Sequence, residues 1–86
     1  MKPKRNHAFS DDAAVIARAR RILKEHPYDT NLPVFMVRGL RVTFACGLND
    51  LVWTMYRQND ATVDEVTELL DRLDAKLQEA HDARAT

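Results

Sequence analysis

The sequence predicts an all-α protein, a single domain of three antiparallel helices with a long central helix, assembled as a homodimer. The chain has 86 residues but only two glycines and three prolines, too few for the frequent turns of a β-sandwich or barrel. Apolar residues recur at spacings of three and four over most of the chain. The 45% hydrophobic content is enough for one domain, although a lone domain of this size has little interior to bury.

The first helix is expected over residues 11–25, after a basic, flexible arm at residues 1–9. Ser10 is the expected N-cap, and Asp11 and Asp12 lie in the first turn, where the helix dipole favours negative charge. Pro27 ends the helix, and the short connector after it predicts a hairpin with the next helix. The apolar stripe of the first helix consists of Val15, Ile16, Ala19, Ile22 and Leu23.

The central helix is expected over residues 33–58, with Pro33 tolerated in its first turn. Its β-branched and aromatic residues leave a second interpretation open, in which residues 34–46 form two strands with a turn at Gly39. The helical interpretation is preferred because one unbroken spacing of three and four crosses Gly39. The residues that follow this spacing are Val37, Leu40, Phe44, Leu48, Leu51 and Met55.

A second apolar face lies on the same predicted helix, and a three-helix domain can bury only one such face. Small residues at four-residue spacing run beside it and would let two helices approach closely. The second face is therefore predicted to contact another chain, either a second copy or a larger protein. Its residues, with the small ones, are Phe35, Gly39, Val42, Thr43, Cys46, Gly47 and Trp53.

The third helix is expected over residues 63–82, followed by a frayed tail at 83–86. Thr62 and Glu65 form a capping box, in which each side chain satisfies the backbone amide of the other residue. An apolar seam then continues along the helix, so either an ordinary bundle helix or an intermolecular coiled coil fits the pattern. The seam consists of Val63, Val66, Leu69, Leu70, Leu73, Leu77 and Ala80.

Catalytic, metal and cofactor sites are not expected. The three histidines and Cys46 are scattered without the spacing of metal ligands, and the two glycines are isolated within apolar sequence. Cys46 has apolar neighbours one and two turns away, which favours a buried or interfacial thiol over a nucleophile. The single cysteine and the absence of an apolar run long enough for a signal peptide or membrane span predict a cytoplasmic protein.

The charges are divided unevenly along a chain whose formal net charge is zero. Residues 1–43 contain nine Lys/Arg and four Asp/Glu, a balance of +5, whereas residues 44–86 contain four and nine, a balance of −5.

The preferred hypothesis is a small regulatory protein that acts by binding, through self-association or by docking on a larger partner as an inhibitor, anti-activator or adaptor.

The alternative hypothesis is a nucleic-acid-binding regulator that uses the basic arm and the first helix. Zero net charge and the acidic third helix argue against it. The residues that would contact phosphates are Lys2, Lys4, Arg5, Arg18, Arg20, Arg21 and Lys24.

Overall fold

The computed structural model describes residues 9–85, and all regular structure within that range is helical. The prediction of an all-α protein is confirmed, and the strand interpretation of residues 34–46 is wrong. The predicted arm at residues 1–9 lies outside the described residues except for Phe9, which packs against the core. The helices are α1 (Ser10–Glu25), α2 (Asn31–Val37), α3 (Arg41–Ala45), α4 (Asn49–Gln58) and α5 (Val63–Ala85).

The first and last predicted helices agree closely with α1 and α5. Phe9 rather than Ser10 occupies the N-cap position of α1, since the helix begins one residue earlier than expected. The capping box of α5 is confirmed: the Thr62 amide donates to Glu65 Oε1 at 2.8 Å, and the Glu65 amide donates to Thr62 Oγ1 at 3.1 Å. The helix continues to Ala85, so the predicted boundary at residue 82 is too early.

The single central helix predicted over residues 33–58 is wrong, because the chain leaves the helical conformation at two glycines. Gly39 has a φ of 74° and Gly47 a φ of 70°, in the left-handed region that glycine enters without steric cost. Gly47 ends α3 in a Schellman motif, in which its amide bonds to Phe44 O at 2.9 Å and the Leu48 amide bonds to Thr43 O at 3.0 Å. These glycines therefore separate helices instead of forming a stripe on one helix face.

Breaking the helix also redistributes its apolar residues. Val42 and Thr43, both predicted at the interface, are fully buried, and the Thr43 hydroxyl donates to Val37 O at 2.7 Å. Phe44 and Leu51 belong to the other apolar face of the predicted helix, the one that the three-helix domain was expected to bury, but they are 60% and 43% exposed. The assignment of these four residues to two faces of one continuous helix is thus wrong. The chain changes direction at each glycine, so the side chains before and after it do not follow a single helical spacing.

The core lies between α1, α5 and the inner sides of the three shorter helices. Helix α1 packs against α2 and α5, α2 packs against α4, and α3 packs against α5. The central part of the predicted α5 seam is buried within its own chain, as the bundle interpretation expects. The buried hydrophobic residues are Ile16, Ala19, Leu23, Val34, Val37, Val42, Leu48, Val52, Val66, Leu69, Leu70 and Leu73.

Hydrogen bonds between distant residues hold the short helices in place. The buried carboxylate of Asp12 accepts from the amide of Val42 at 2.8 Å, so a side chain of α1 satisfies an amide in the first turn of α3. Asn49 at the start of α4 accepts from the amide of Gly39 at 2.9 Å. The broken middle segment is therefore fixed by polar contacts as well as by packing.

Candidate functional site

Aromatic side chains of α2 and α4 meet at the protein surface. The ring centroids of Phe35 and Tyr56 are 5.3 Å apart, and those of Trp53 and Tyr56 are 5.9 Å apart in an edge-to-face arrangement. Phe35 is 38% exposed, and Trp53 and Tyr56 are half-buried. We call Phe35, Arg38, Trp53 and Tyr56 the aromatic patch. It brings together two of the predicted interface residues, Phe35 and Trp53, from separate helices.

Arg38 covers two of the aromatic rings of the patch with its guanidinium group. Its Cζ lies 4.0 Å from the centroid of the Phe35 ring and 5.3 Å from that of Trp53. Such cation–π contacts contribute about 0.5–1 kcal/mol at exposed sites. The Arg38 Nε is buried without a hydrogen-bond partner among the described residues. Arg38 is thus held against the patch by stacking on aromatic faces.

Sequence reasoning missed Arg38 and Tyr56 as members of the patch. Both follow a predicted interface aromatic by three residues, Arg38 after Phe35 and Tyr56 after Trp53. Residues three apart are neighbours on a helix surface, so this spacing could have found them. The same spacing holds on a continuous helix, but that interpretation placed Phe35 and Trp53 on one helix, so it did not predict that the two pairs meet where α2 packs against α4.

The remaining predicted interface residues do not join this patch as one stripe. Gly39 and Gly47 are exposed at the turns before and after α3, and Val42 and Thr43 are buried between them. Cys46 is half-buried beside α5, where burial raises the pKa of its thiol, partly opposed by the positive charges of Lys76 and Arg72. A raised pKa keeps the thiol protonated near neutral pH, which does not favour a nucleophilic role.

The outer face of α4 continues the patch toward solvent. A shallow surface depression is lined by Asp50, Trp53, Thr54 and Arg57; Trp53 and Thr54 lie three and four residues after Asp50, and Arg57 lies four and three residues after them, so all four share one helix face. Asp50 lies in the first turn of α4 and Arg57 in its last turn, and both are exposed. One helix face therefore carries an acid at one end, a base at the other, and an aromatic ring between them.

A separate groove runs between α4 and α5, with a volume of about 280 Å³. Leu51, Met55 and Leu69 form its apolar part, and Glu65 and Glu68 lie along its α5 side. Leu51 contributes to this groove through the exposed part of its side chain. Apolar surface thus borders α4 on the side opposite the aromatic patch as well.

The basic residues proposed for nucleic acid are only partly available. Arg20 Nη2 lies 2.6 Å from Asp71 Oδ1, and Arg20 also bonds to Asp74 on α5. Partial burial would lower the pKa of Arg20, but its hydrogen bonds to Asp71 and Asp74 outweigh that effect and raise the pKa. The remaining basic side chains of α1 are exposed, whereas Lys2, Lys4 and Arg5 lie outside the described residues. The exposed ones are Arg18, Arg21 and Lys24.

Among residues 9–85, no three His, Cys, Asp or Glu side chains are gathered so that they could hold a metal ion. Within the same range, no helix combines the length and the apolar character needed to cross a bilayer. Comparisons of the chain with protein-family models, with curated proteins and with solved structures found no match.

Proposed function

We propose that this chain is a small helical interaction module that acts by occupying a protein surface, as an inhibitor, anti-activator or adaptor, and that it also self-associates. The observation that carries the proposal is the aromatic patch with Arg38 stacked on it. Trp, Tyr and Arg are the residue types most enriched at the energetic centres of protein interfaces. The patch combines all three, and its aromatic rings are partly exposed to solvent.

Other exposed apolar side chains support the same role. Phe44 on α3 and Leu51, on the side of α4 opposite the patch, are large apolar residues exposed to solvent. Exposed apolar surface that forms a patch is typical of an interaction site. Covering the patch with a partner would remove this surface from water, at about 25 cal/mol per Å² of apolar area.

The proposal includes a non-enzymatic, cofactor-free role in the cytoplasm, as expected from the sequence. Nucleic-acid binding stays the second hypothesis, although the contacts of Arg20 weaken it. Arg20 is one of the four basic residues of α1 in that hypothesis, and its charge is compensated by two carboxylates of α5. A basic face that has lost one of its charges attracts phosphate less strongly.

Replacement of Trp53 by aspartate tests the proposal. Trp53→Asp places a charge within the patch, and we expect it to abolish association, measured as solution mass by light scattering at micromolar concentration. Tyr28→Asp is the matched control, because Tyr28 is an aromatic residue that is 84% exposed and does not belong to the patch. This control is expected to leave the mass unchanged.

Trp53 also reports directly on its own surroundings, since it is the single tryptophan of the chain. When the protein is diluted until it dissociates, we expect the fluorescence of Trp53 to shift to longer wavelength and to become more accessible to iodide. The proposed function would be contradicted if Trp53→Asp changed neither the solution mass nor the set of proteins that co-purify with the chain.

A further inference from the structure

We propose that the partner at this surface is a second copy of the chain, held by antiparallel packing of α4 against α4 about a twofold axis near Trp53 and Thr54. The inference rests on the proposed function and names the occupant of its surface. It also assigns Asp50 and Arg57 as the residues that determine the register of the two helices.

The first step is the arrangement of charge on the outer face of α4. Asp50 and Arg57 are separated by two helical turns, about 10.5 Å along the axis, so they do not pair with each other. Both are exposed, and neither takes part in an ion pair within the described residues. Trp53 and Thr54 lie between them on the same face.

The second step is symmetry. A twofold axis perpendicular to α4 places the same helix face of the second copy opposite it in the reverse direction. Asp50 of each copy then lies opposite Arg57 of the other, which gives two ion pairs. Each Trp53 ring lies at the centre, next to the smaller Thr54 of the other copy. Parallel packing would instead bring Asp50 against Asp50 and Arg57 against Arg57, so charge complementarity selects the antiparallel arrangement.

The third step is the continuity of this face with the aromatic patch. Trp53 belongs to both, and Arg38 stacks on its ring, so contact across α4 also covers part of Phe35 and Tyr56. The centre of the contact is thereby aromatic and the ends are charged, which is the usual distribution in a protein interface.

Charge reversal tests the register. Asp50→Lys or Arg57→Glu alone turns both attractive pairs into repulsive ones, and we expect the dimer Kd to rise on the order of tenfold or more. An equimolar mixture of the two single variants should recover the wild-type Kd as a mixed dimer, because opposite charges meet again at both ends. The double variant should recover it as a homodimer for the same reason.

Mixing wild type with the double variant separates antiparallel from parallel packing. Antiparallel packing places like charges together in that mixed dimer, so each chain should pair with its own kind in native mass spectrometry. Parallel packing would favour the mixed dimer and would make the single variants as strongly associated as the wild type. Either of those results would overturn the inference.

Two controls separate the register from effects on folding and on net charge. Asp50 and Arg57 also suit the helix dipole, so reversing them weakens α4 slightly; recovery in the mixture of single variants excludes a folding defect as the cause. Asp64→Lys and Arg21→Glu reverse exposed charges elsewhere and should leave the dimer Kd unchanged.

Two outcomes would overturn different parts of the inference. A dimer that is sensitive to Trp53→Asp but indifferent to both reversals would overturn the register while the proposed function stands. A monomeric wild type would overturn this inference together with the self-association included in the proposed function; docking on another protein would stand only if a protein that co-purifies with the wild type is lost with Trp53→Asp.

Discussion

The long helices α1 and α5 and the middle segment at residues 31–58 are built on different principles. Helices α1 and α5 have 16 and 23 residues, and one apolar stripe on each faces the core. The middle segment is divided into helices of 7, 5 and 10 residues that are separated at glycines in the left-handed conformation. Isolated helices of that length are marginal in water, so the middle segment depends on contacts with the rest of the chain. The segment whose structure depends most on tertiary contacts, and least on its own apolar spacing, is thus the one that carries the exposed aromatic patch.

The two regions are expected to differ most in how much stability they lose when a leucine is replaced by alanine. Leu70 on α5 is fully buried, and Leu70→Ala is expected to lower the free energy of unfolding by about 2–5 kcal/mol, because it removes packed methyl groups and leaves a cavity. Leu51→Ala on α4 should cost less than about 1 kcal/mol, since that side chain is 43% exposed. Urea unfolding followed by circular dichroism measures both. Equal losses would mean that α4 is packed as firmly as α5.

Asp12 tests how far the middle segment depends on α1. Asp12→Ala removes the acceptor of the Val42 amide and is expected to destabilise the protein by about 1–3 kcal/mol, because that amide lies in the interior. Asp11→Ala is the matched control: Asp11 is exposed in the same first turn and loses only its dipole interaction, about 0.3–1 kcal/mol. If both variants are destabilised equally, the bond from Asp12 to α3 contributes nothing beyond the dipole.

Much of the structure of α1 and α5 could be predicted from the sequence, because its determinants are local. Thr62 and Glu65 are three residues apart, and their capping box formed as expected. The role of Asp12 could not be predicted in this way. Its partner, Val42, is thirty positions along the chain, and only the tertiary fold brings the two together. From the sequence, Asp12 resembles any acidic residue in the first turn of a helix.

The division of the middle segment into short helices could have been predicted from the sequence more readily than the contact of Asp12 with Val42. Gly47 follows an apolar run, as a glycine that ends a helix does, and such a glycine is a known stop signal. The apolar spacing crosses both glycines without interruption, and this favours the interpretation of Gly47 as a small contact residue. For the candidate site, the apolar character of Phe35 and Trp53 is enough to find them, and the three-residue spacing could have added Arg38 and Tyr56, whereas the meeting of the two pairs in one patch depends on the packing of α2 on α4.

Replacing each glycine by alanine distinguishes the broken helix from the continuous one, because the two structures predict changes of opposite sign in the free energy of unfolding. In a continuous helix, Gly39→Ala and Gly47→Ala would each stabilise the protein by roughly 0.5–1 kcal/mol. With φ values of 74° and 70°, alanine is strained, and each change is expected to destabilise it by about 1 kcal/mol. A methyl group at either position meets no atom within 4 Å, so the loss comes from the backbone conformation alone. An increased midpoint of urea unfolding for either variant would contradict the turns at these positions.

The smallest expected effect concerns the charges between the two long helices. Arg20 bonds to Asp71 and Asp74, so part of the positive excess of residues 1–43 is compensated within the chain by the negative excess of residues 44–86. The side chains of all three are more than a third exposed, which limits the contribution of these pairs to about 1 kcal/mol or less in water. Arg20→Met keeps the aliphatic stem and removes the charge.

We expect Arg20→Met to lower the free energy of unfolding by up to about 1 kcal/mol at low salt. The loss should become smaller in 1 M salt, where the screening length is about 3 Å. Arg21→Met is the control, because Arg21 is exposed on the same helix and has no ion pair among the described residues. If Arg20→Met is as stable as the wild type at low salt, the aliphatic stem of Arg20, which methionine retains, and not its charge, joins α1 to α5. The two long helices would then be held together by apolar contact alone, and the uneven distribution of charge along the chain would have no part in the fold.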